Sequence, residues 1–494
     1  MYWLGIDVGT GGTRALLLNE TGKIVAGCTA AHAEMRMEKA LWAEQDPEDW
    51  WRAAKAAIRA VLQEANADGS SIQGIGFSGQ MHGLVMLDGN GQVIRPSLIW
   101  CDQRSQTQVD AIHARVGRER VVQFTANPSV TGFTLPKLLW VRDHEPASFE
   151  RLRTVLLPKD YVRFRLSGEV GQDVSDASGT GLFDVVQRRW SRPMIEELGL
   201  DSSWFPPIYE SAQVCGRVTT EAAEATGLLA GTPMVTGAGD QAASAVGNGI
   251  VESGIASCTL GTSGVVFAHM DQPAYDPGGR VHTFCHAVPG KWHVMGVTQG
   301  AGLSLQWFRN TLAPGTSYDA LMAEAAEAEL GSGGLFWLPY LMGERTPHLD
   351  ALARGGWVGL TARHQRRDLV RSIVEGVTFS QRDCLDVILE LGVEVNRVRA
   401  SGGGAQSSFW RQVMADVFAR RVTTLDSQEG SAYGAGLLAM VGTGGFSSVH
   451  EACAACTNEV TQTDPRPREG VAYARAHEIY RTLYPTLKST FRLL

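Results

Sequence analysis

Tyr2-Trp3-Leu4-Gly5-Ile6-Asp7-Val8-Gly9-Thr10-Gly11-Gly12-Thr13-Arg14-Ala15-Leu16-Leu17-Leu18 is the stretch that decides how this chain folds. Residues 2–7 read as a strand, residues 13–18 as a second, and the glycine run between them as a turn. Asn19-Glu20-Thr21-Gly22 ends the second strand, and residues 23–27 read as a third. The glycines therefore lie inside an antiparallel meander. A Rossmann or P-loop glycine run must instead open a helix. Arg14 also stands where a third fingerprint glycine would be needed, and no G-x-x-x-x-G-K-[ST] occurs anywhere.

The turn has an echo. Thr259-Leu260-Gly261-Thr262-Ser263-Gly264 again sits between strand-like segments, 255–260 and 265–269, and the two Gly-Thr steps are 252 positions apart in 494 residues. One such turn is common in hairpins. Two of them, one per half, predict two related lobes gripping a polyphosphate with the amides and hydroxyls of Thr10, Gly11, Gly12, Thr13 and Gly261, Thr262, Ser263, Gly264. Only the first copy carries an acid, Asp7. A carboxylate cannot touch phosphate without repulsion, so its expected role is to hold Mg²⁺ through water. The plain alternative is a turn aspartate that caps its own backbone.

At this length two or three domains are expected, and the composition leads us to place a boundary at residues 245–254, giving lobes of 1–248 and 249–494. Net charge is −8 with no block of five like charges, which argues against nucleic acid or an anionic membrane as the main partner. Eight scattered cysteines are not a disulfide framework. The start, Met-Tyr-Trp-Leu-Gly-Ile-Asp, shows no leader pattern, and no window reads as a membrane span, so we expect a cytoplasmic protein. A homodimer is the one assembly left open.

Further along, Asp46-Pro47 opens a helix with apolar positions Trp50, Ala54, Ala57, Ile58 and Val61. A strand over 72–78 leads into the loop Gly79-Gln80-Met81-His82-Gly83, where His82 can bond a polyol hydroxyl and Met81 can pack on its carbon face, or where His82 is merely structural. Asp240 follows a short strand and Ala238-Gly239 and precedes an alanine-rich helix. Small neighbours let a ligand approach, and the helix N-terminus favours the ionised carboxylate. Such a group suits a base that accepts a hydroxyl proton during phosphoryl transfer; simple helix capping is the bland reading. A strand over 398–401 enters Gly402-Gly403-Gly404, and a helix follows over 409–418. A flat ring such as adenine can lie on that turn, with Ser407 or Ser408 adding a polar contact. Cys453-Ala454-Ala455-Cys456 lacks a partner pair and falls on a helix, and His282, Cys285 and His286 read as core and rim residues rather than metal ligands.

Gly132-Phe133-Thr134-Leu135-Pro136-Lys137-Leu138-Leu139-Trp140 resembles one signature of the FGGY family of carbohydrate kinases, in the actin/hexokinase/Hsp70 superfamily, and the region from Gly356-Trp357-Val358-Gly359-Leu360 to Val374-Glu375-Gly376 is similar to the other. Gly79-Gln80-Met81-His82-Gly83, Trp42-Ala43-Glu44-Gln45-Asp46-Pro47, Leu157-Pro158-Lys159-Asp160-Tyr161 and Gly343-Glu344-Arg345-Thr346-Pro347-His348 resemble the subgroup that acts on D-xylulose. The resemblance implies an α/β protein of two actin-like, ribonuclease-H-like lobes, mixed sheets with flanking helices around a central cleft. It implies ATP and Mg²⁺ as cofactors and phosphorylation of D-xylulose at its 5-hydroxyl, giving D-xylulose 5-phosphate and ADP. Carried over by position, Asp240 is the base and Asp7 the Mg²⁺-side acid. Met81, His82, Gln241 and the segment Trp100, Asp102, Arg104 lie on the sugar, and Gly403, Gly404 and Ser407 on the nucleotide. Gln241 departs from the asparagine common in the D-xylulose subgroup and matches the glycerol one, while a glycerol-specific member is expected to carry Arg-Glu in place of Met81-His82. The alternatives are a kinase for ribulose, gluconate or glycerol, and a non-catalytic sensor of sugar or nucleotide on the same scaffold.

Overall fold

The computed structural model describes residues 1–426 and 429–494. In the first half, β1 (Tyr2–Val8), β2 (Gly12–Asn19) and β3 (Ile24–Ala31) form the antiparallel meander. Helix α1 (Pro47–Glu64), capped by the Asp46 side chain, covers one face. The strand β4 (Ile72–Gly79) joins β1 in parallel, and β5 (Val214–Arg217) and β6 (Pro233–Val235) complete the sheet in the order β5-β6-β4-β1-β2-β3. Ala238–Gly239 pairs with the end of β4 and delivers the chain into α2 (Asp240–Gly247).

The second half repeats the plan. Strands β7 (Gly254–Leu260) and β8 (Gly264–Met270) pair antiparallel. Next come β9 (His282–Cys285), β10 (Trp292–Thr298), the long helix α3 (Arg366–Glu390), β11 (Val395–Ser401), α4 (Ser408–Phe418) and β12 (Arg421–Leu425). After α5 (Gly430–Gly442), β13 (Glu459–Thr463) closes the order β9-β10-β8-β7-β11-β12-β13. With β7 on β1, β8 on β2, β10 on β3, β11 on β4 and β12 on β6, the two sheets share one topology over these five strands; β9 is an added edge, and β5 and β13 hold the same edge but enter before β6 and after β12. These are the two mixed-sheet lobes that the sequence predicts.

Alternation along β1 explains its layers. Leu4, Ile6 and Val8 bury against Trp50, Ala54, Ile58 and Val61 of α1. Trp3 and Gly5 face the other way, where the cover is α5, a helix from the second half of the chain. Its backbone comes so close that a Cβ at Gly5 would lie 2.1 Å from the Ala432 carbonyl oxygen, and one at Gly76 1.9 Å from that of Ala435. Glycine is the only residue both positions admit. Among the described residues no helix is long and apolar enough to cross a membrane.

Candidate active site

Both carboxylates singled out in the sequence come to the same end of the first sheet. Asp7 sits near the end of β1 beside Ser78 of β4, and Ala238–Gly239 runs along Ser78–Gly79 to place Asp240 at the start of α2. Ser431, at the N-terminus of α5, donates to Asp7 Oδ2 at 2.9 Å, while Asp7 Oδ1 is buried with no hydrogen-bond partner. Burial raises the Asp7 carboxyl above its ordinary range, with the Ser431 and Ser78 hydroxyls pulling the other way. Burial and then the Asp7 charge push Asp240 up to about 7, against hydrogen bonds from the Gln241 backbone and side chain.

The first glycine turn is held from behind. Gln45 Nε2 donates to the Thr10 carbonyl at 2.7 Å, and Gln80 Nε2 donates to Gln45 Oε1 at 2.9 Å and to the Gly9 carbonyl at 3.3 Å. Trp100 Nε1 donates to Thr10 Oγ1 at 2.9 Å. Gly11 is exposed, and Gly12 partly so. Thr13 differs from the expectation: it lies in β2, fully buried, with its hydroxyl on His32 Nε2 at 2.9 Å. The β pairing with Val8 turns it inward, so it supports the turn rather than offering a phosphate contact.

The second turn exposes Thr262 and Ser263, and the carbonyls of Gly261 and Thr262 accept from the Gly302 and Leu303 amides at 2.7 and 3.1 Å. Gly264, with which β8 begins, is buried. Gly402 takes φ +81°, and a Cβ there would also meet the Leu260 carbonyl oxygen at 2.6 Å, while Gly403 is open to solvent. Ser407 accepts from the Trp410 amide at 3.3 Å, which makes it the N-cap of α4; its role in the free fold is capping. A cleft of about 350 Å³ lies between Asp7 and the Gly402 turn, lined by Asp7, Thr259, Ser401, Gly402, Gly430 and Ser431 among others.

On the sugar side, Met81 is buried against Gly239 and His82 is partly buried at φ +69°. His82 Nδ1 lies 2.7 Å from the Gly179 carbonyl, which can only accept, so Nδ1 carries the proton and Nε2 is left as an acceptor. Burial and the Lys137 charge hold the ring well below its usual pKa, keeping it neutral. Its plane stacks on Phe133 at 4.8 Å.

Asp102 and Arg104 are corrected. Both side chains are buried as an ion pair with N–O 2.7 Å. Asp102 also accepts from the Ala43 amide at 2.7 Å, and Arg104 donates to Glu44 at 2.7 Å while lying 3.7 Å from the Trp42 ring centre. Their charge is spent on the loop that presents Trp100, which is 41% exposed and remains the accessible member of the segment. Cys453 and Cys456 lie on a helix as free thiols, and His282 and His286 are buried, as the sequence reading has them.

Sequence reasoning missed the residues that hold the site. Lys137, fully buried, donates to the carbonyls of His82 at 3.0 Å and Gly132 at 2.6 Å. Lys159 bridges Asp160 at 2.6 Å and Asp173 at 2.9 Å, all three buried, and Ser175 of the same cluster accepts from the Gly239 amide at 3.1 Å. The only signal was a lysine in an otherwise apolar run, as in Leu135-Pro136-Lys137-Leu138-Leu139.

The profile of the FGGY family of carbohydrate kinases, N-terminal domain, matches residues 2–247, and that of the family's C-terminal domain matches residues 256–443. The chain is 38% identical over 487 residues to a xylulose kinase of Bacillus subtilis (strain 168), covering 99% of this chain and 97% of that protein. It is 39% identical over 486 residues to a xylulose kinase of Escherichia coli (strain K12), covering 98% and 99%. A crystal structure described as a xyloylose kinase from Brucella ovis superposes with a TM-score of 0.93 at 36% identity, covering 99% of this chain and 100% of that one.

Proposed function

Since the chain belongs to the FGGY family of carbohydrate kinases, it is a phosphotransferase that uses ATP, and we propose that its acceptor is D-xylulose, phosphorylated at the 5-hydroxyl to give D-xylulose 5-phosphate and ADP. One observation carries this reading: Asp240 and the Met81–His82 loop come to the same end of the first sheet, Met81 packed against Gly239, with Asp7 beside them. The xylulose kinases to which the chain is similar over nearly its full length support the choice of sugar.

In this reading residues 1–248 bind sugar and supply the base, and residues 249–494 bind nucleotide. Asp240 removes the proton of the attacking hydroxyl. With its pKa near 7, it is a stronger base than an ordinary carboxylate yet ionised just above neutrality. His82 Nε2 accepts from a sugar hydroxyl, Met81 packs on the carbon face, and Gln241 holds the Asp240 carboxylate. The amides of Gly11, Gly12, Thr262 and Ser263 line up the phosphates, and Gly402 to Gly404 leave backbone open to the adenosine. The unpartnered, buried Asp7 Oδ1 fits a water-mediated Mg²⁺ site, since a carboxylate oxygen without a donor is costly to bury. Bound there, the ion supplies neutralisation of phosphate charge. Work in the cytoplasm accords with eight free thiols and with a substrate of sugar catabolism.

The test is a coupled ADP-release assay over D-xylulose, D-ribulose, L-ribulose, gluconate and glycerol, with the product identified by mass. D-xylulose is expected to give the highest kcat/KM. Preference for another polyol would overturn the sugar assignment, and absence of any sugar phosphate would overturn catalysis itself.

A further inference from the structure

Arg345 is the half-buried cation for which the site so far has no use. It lies in a turn of the second lobe, and the chain on both sides of it is fixed. Glu344 accepts from the amides of Gln299 at 3.0 Å and Arg345 at 2.8 Å. The Thr346 amide donates to the Val297 carbonyl at 3.0 Å, its hydroxyl donates to the Arg280 carbonyl at 2.7 Å, and it accepts from the Val297 amide at 3.1 Å. The turn is thereby stapled to the end of β10, two residues from Met295, which pairs with His282 of β9.

Against this frame, the Arg345 guanidinium makes no hydrogen bond or ion pair among the described residues, although five donors taken partly out of water normally find acceptors. His282, 8% exposed, likewise leaves its Nδ1 unpartnered. Phe133 links these groups to the sugar side, its ring 5.5 Å from His282 and 4.8 Å from His82. The Arg345 charge is felt at both histidines and lowers the pKa of each, whereas the charge that acts on Asp240 is that of Asp7. The pairing of β9 with β10 and the Phe133 ring thus join the turn that carries Arg345 to the sugar side of the cleft.

We propose that Arg345 is a sugar-binding residue supplied by the second lobe, its guanidinium donating to oxygens of the ketose held beside His82. The inference rests on reading the His82 pocket as the sugar site. It makes the acceptor a ligand of both lobes.

Arg345→Ala, Arg345→Lys and His82→Ala would be compared for sugar KM, ATP KM and calorimetric affinity for D-xylulose without nucleotide. A charged hydrogen bond of typical strength corresponds to a loss of about 10- to 100-fold. Arg345→Ala is expected to raise sugar KM and weaken D-xylulose affinity by about that factor, with ATP KM unchanged and an unaltered melting curve, since no internal partner is orphaned. Arg345→Lys should recover part of the loss. If His82→Ala weakens sugar binding and Arg345→Ala stays within about twofold of the parent, Arg345 has no such role. A fall in kcat at unchanged sugar affinity would assign the guanidinium to the phosphoryl group and overturn the proposal. If neither residue affects sugar affinity, the pocket itself is misplaced.

Discussion

Asp240 answers to two opposed demands. To act as a base it must be ionised, yet burial and the Asp7 charge push its carboxyl up to about 7. The expected kcat/KM therefore falls on the acid side through a pH of about 7, and a profile flat from pH 5 to 8 would remove Asp240 as the base. Asp240→Asn should lower kcat by at least ~10²-fold. The same shift sets a sign for stability. Between the unfolded pKa near 3.8 and the folded value near 7, the native state binds the extra proton, so this site loses stability as pH rises through that window. Asp240→Asn is thus expected to melt higher than the parent at pH 8 and with little difference at pH 4; equal differences at both would show that the carboxyl is not strained. Lys137 supports the neighbouring contact: Lys137→Met leaves the Gly132 carbonyl without its donor, at about 1–3 kcal/mol, and leaves the carbonyl of His82, a residue held at positive φ, with only the Thr134 hydroxyl at 3.2 Å. Sugar KM should rise several-fold with ATP KM fixed; equal changes in both would mean general loosening. The residues that the sequence singles out and the structure brings to one end of the first sheet, Asp7, Asp240, Met81 and His82, are those at strand ends next to small neighbours, where local pattern fixes exposure. Asp102, Arg104 and Thr13 were misjudged because residue type does not say whether a group is already paired: Asp102 and Arg104 hold each other, and Thr13 holds His32.

Helices α2 and α5 cross with almost no side chain between them. A Cβ on Gly434 would sit 1.8 Å from the Ala243 carbonyl oxygen, and one on Gly247 2.1 Å from that of Gly430. Alanine is the better helix former by about 1 kcal/mol, so Gly434→Ala would stabilise an exposed helix. Here it must push two backbones apart, and a net cost of roughly 2–3 kcal/mol is expected from overpacking. Because α2 starts at Asp240 and α5 starts beside the Ser431 bond to Asp7, kcat should fall with stability. Gly356→Ala, where nothing lies within 4 Å, is the control and should stay within about 0.5 kcal/mol. Thermal melts of both variants decide the matter; a Gly434→Ala protein as stable as the parent would mean the crossing is loose. The meanders are legible in the sequence by alternation, because that signal is local, whereas α5 is apolar nearly all round and carries no period of its own. Its seat under the first sheet depends on Gly5 and Gly76, more than 350 residues away, and no local pattern carries that.

The chain order and the spatial halves do not coincide. Both family profiles meet near residues 247–256, yet α5 buries Trp3, Leu16, Leu18, Val235 and Ala238 of the first lobe. The clasp runs the other way as well: Asn127 donates to the Thr283 carbonyl at 2.7 Å and accepts from its amide at 3.1 Å, and Ser178 accepts from the Cys285 amide at 3.0 Å. Trp3, Leu16, Leu18 and Val235, each worth roughly 1.5–3 kcal/mol when buried, lose this cover if the second half is removed. Residues 1–248 alone are therefore expected to aggregate or to melt without a cooperative transition, and to regain solubility and kinase activity when produced together with residues 249–494. A monomeric, cooperatively melting 1–248 fragment in size-exclusion and calorimetry would show that α5 is dispensable to the first lobe. The same arrangement bears on how the halves move. The cleft holds Gly402 of the second sheet and, through Ser431 of α5, Asp7 of the first, so a shift of one half against the other loads the close backbone contacts where α2 and α5 touch.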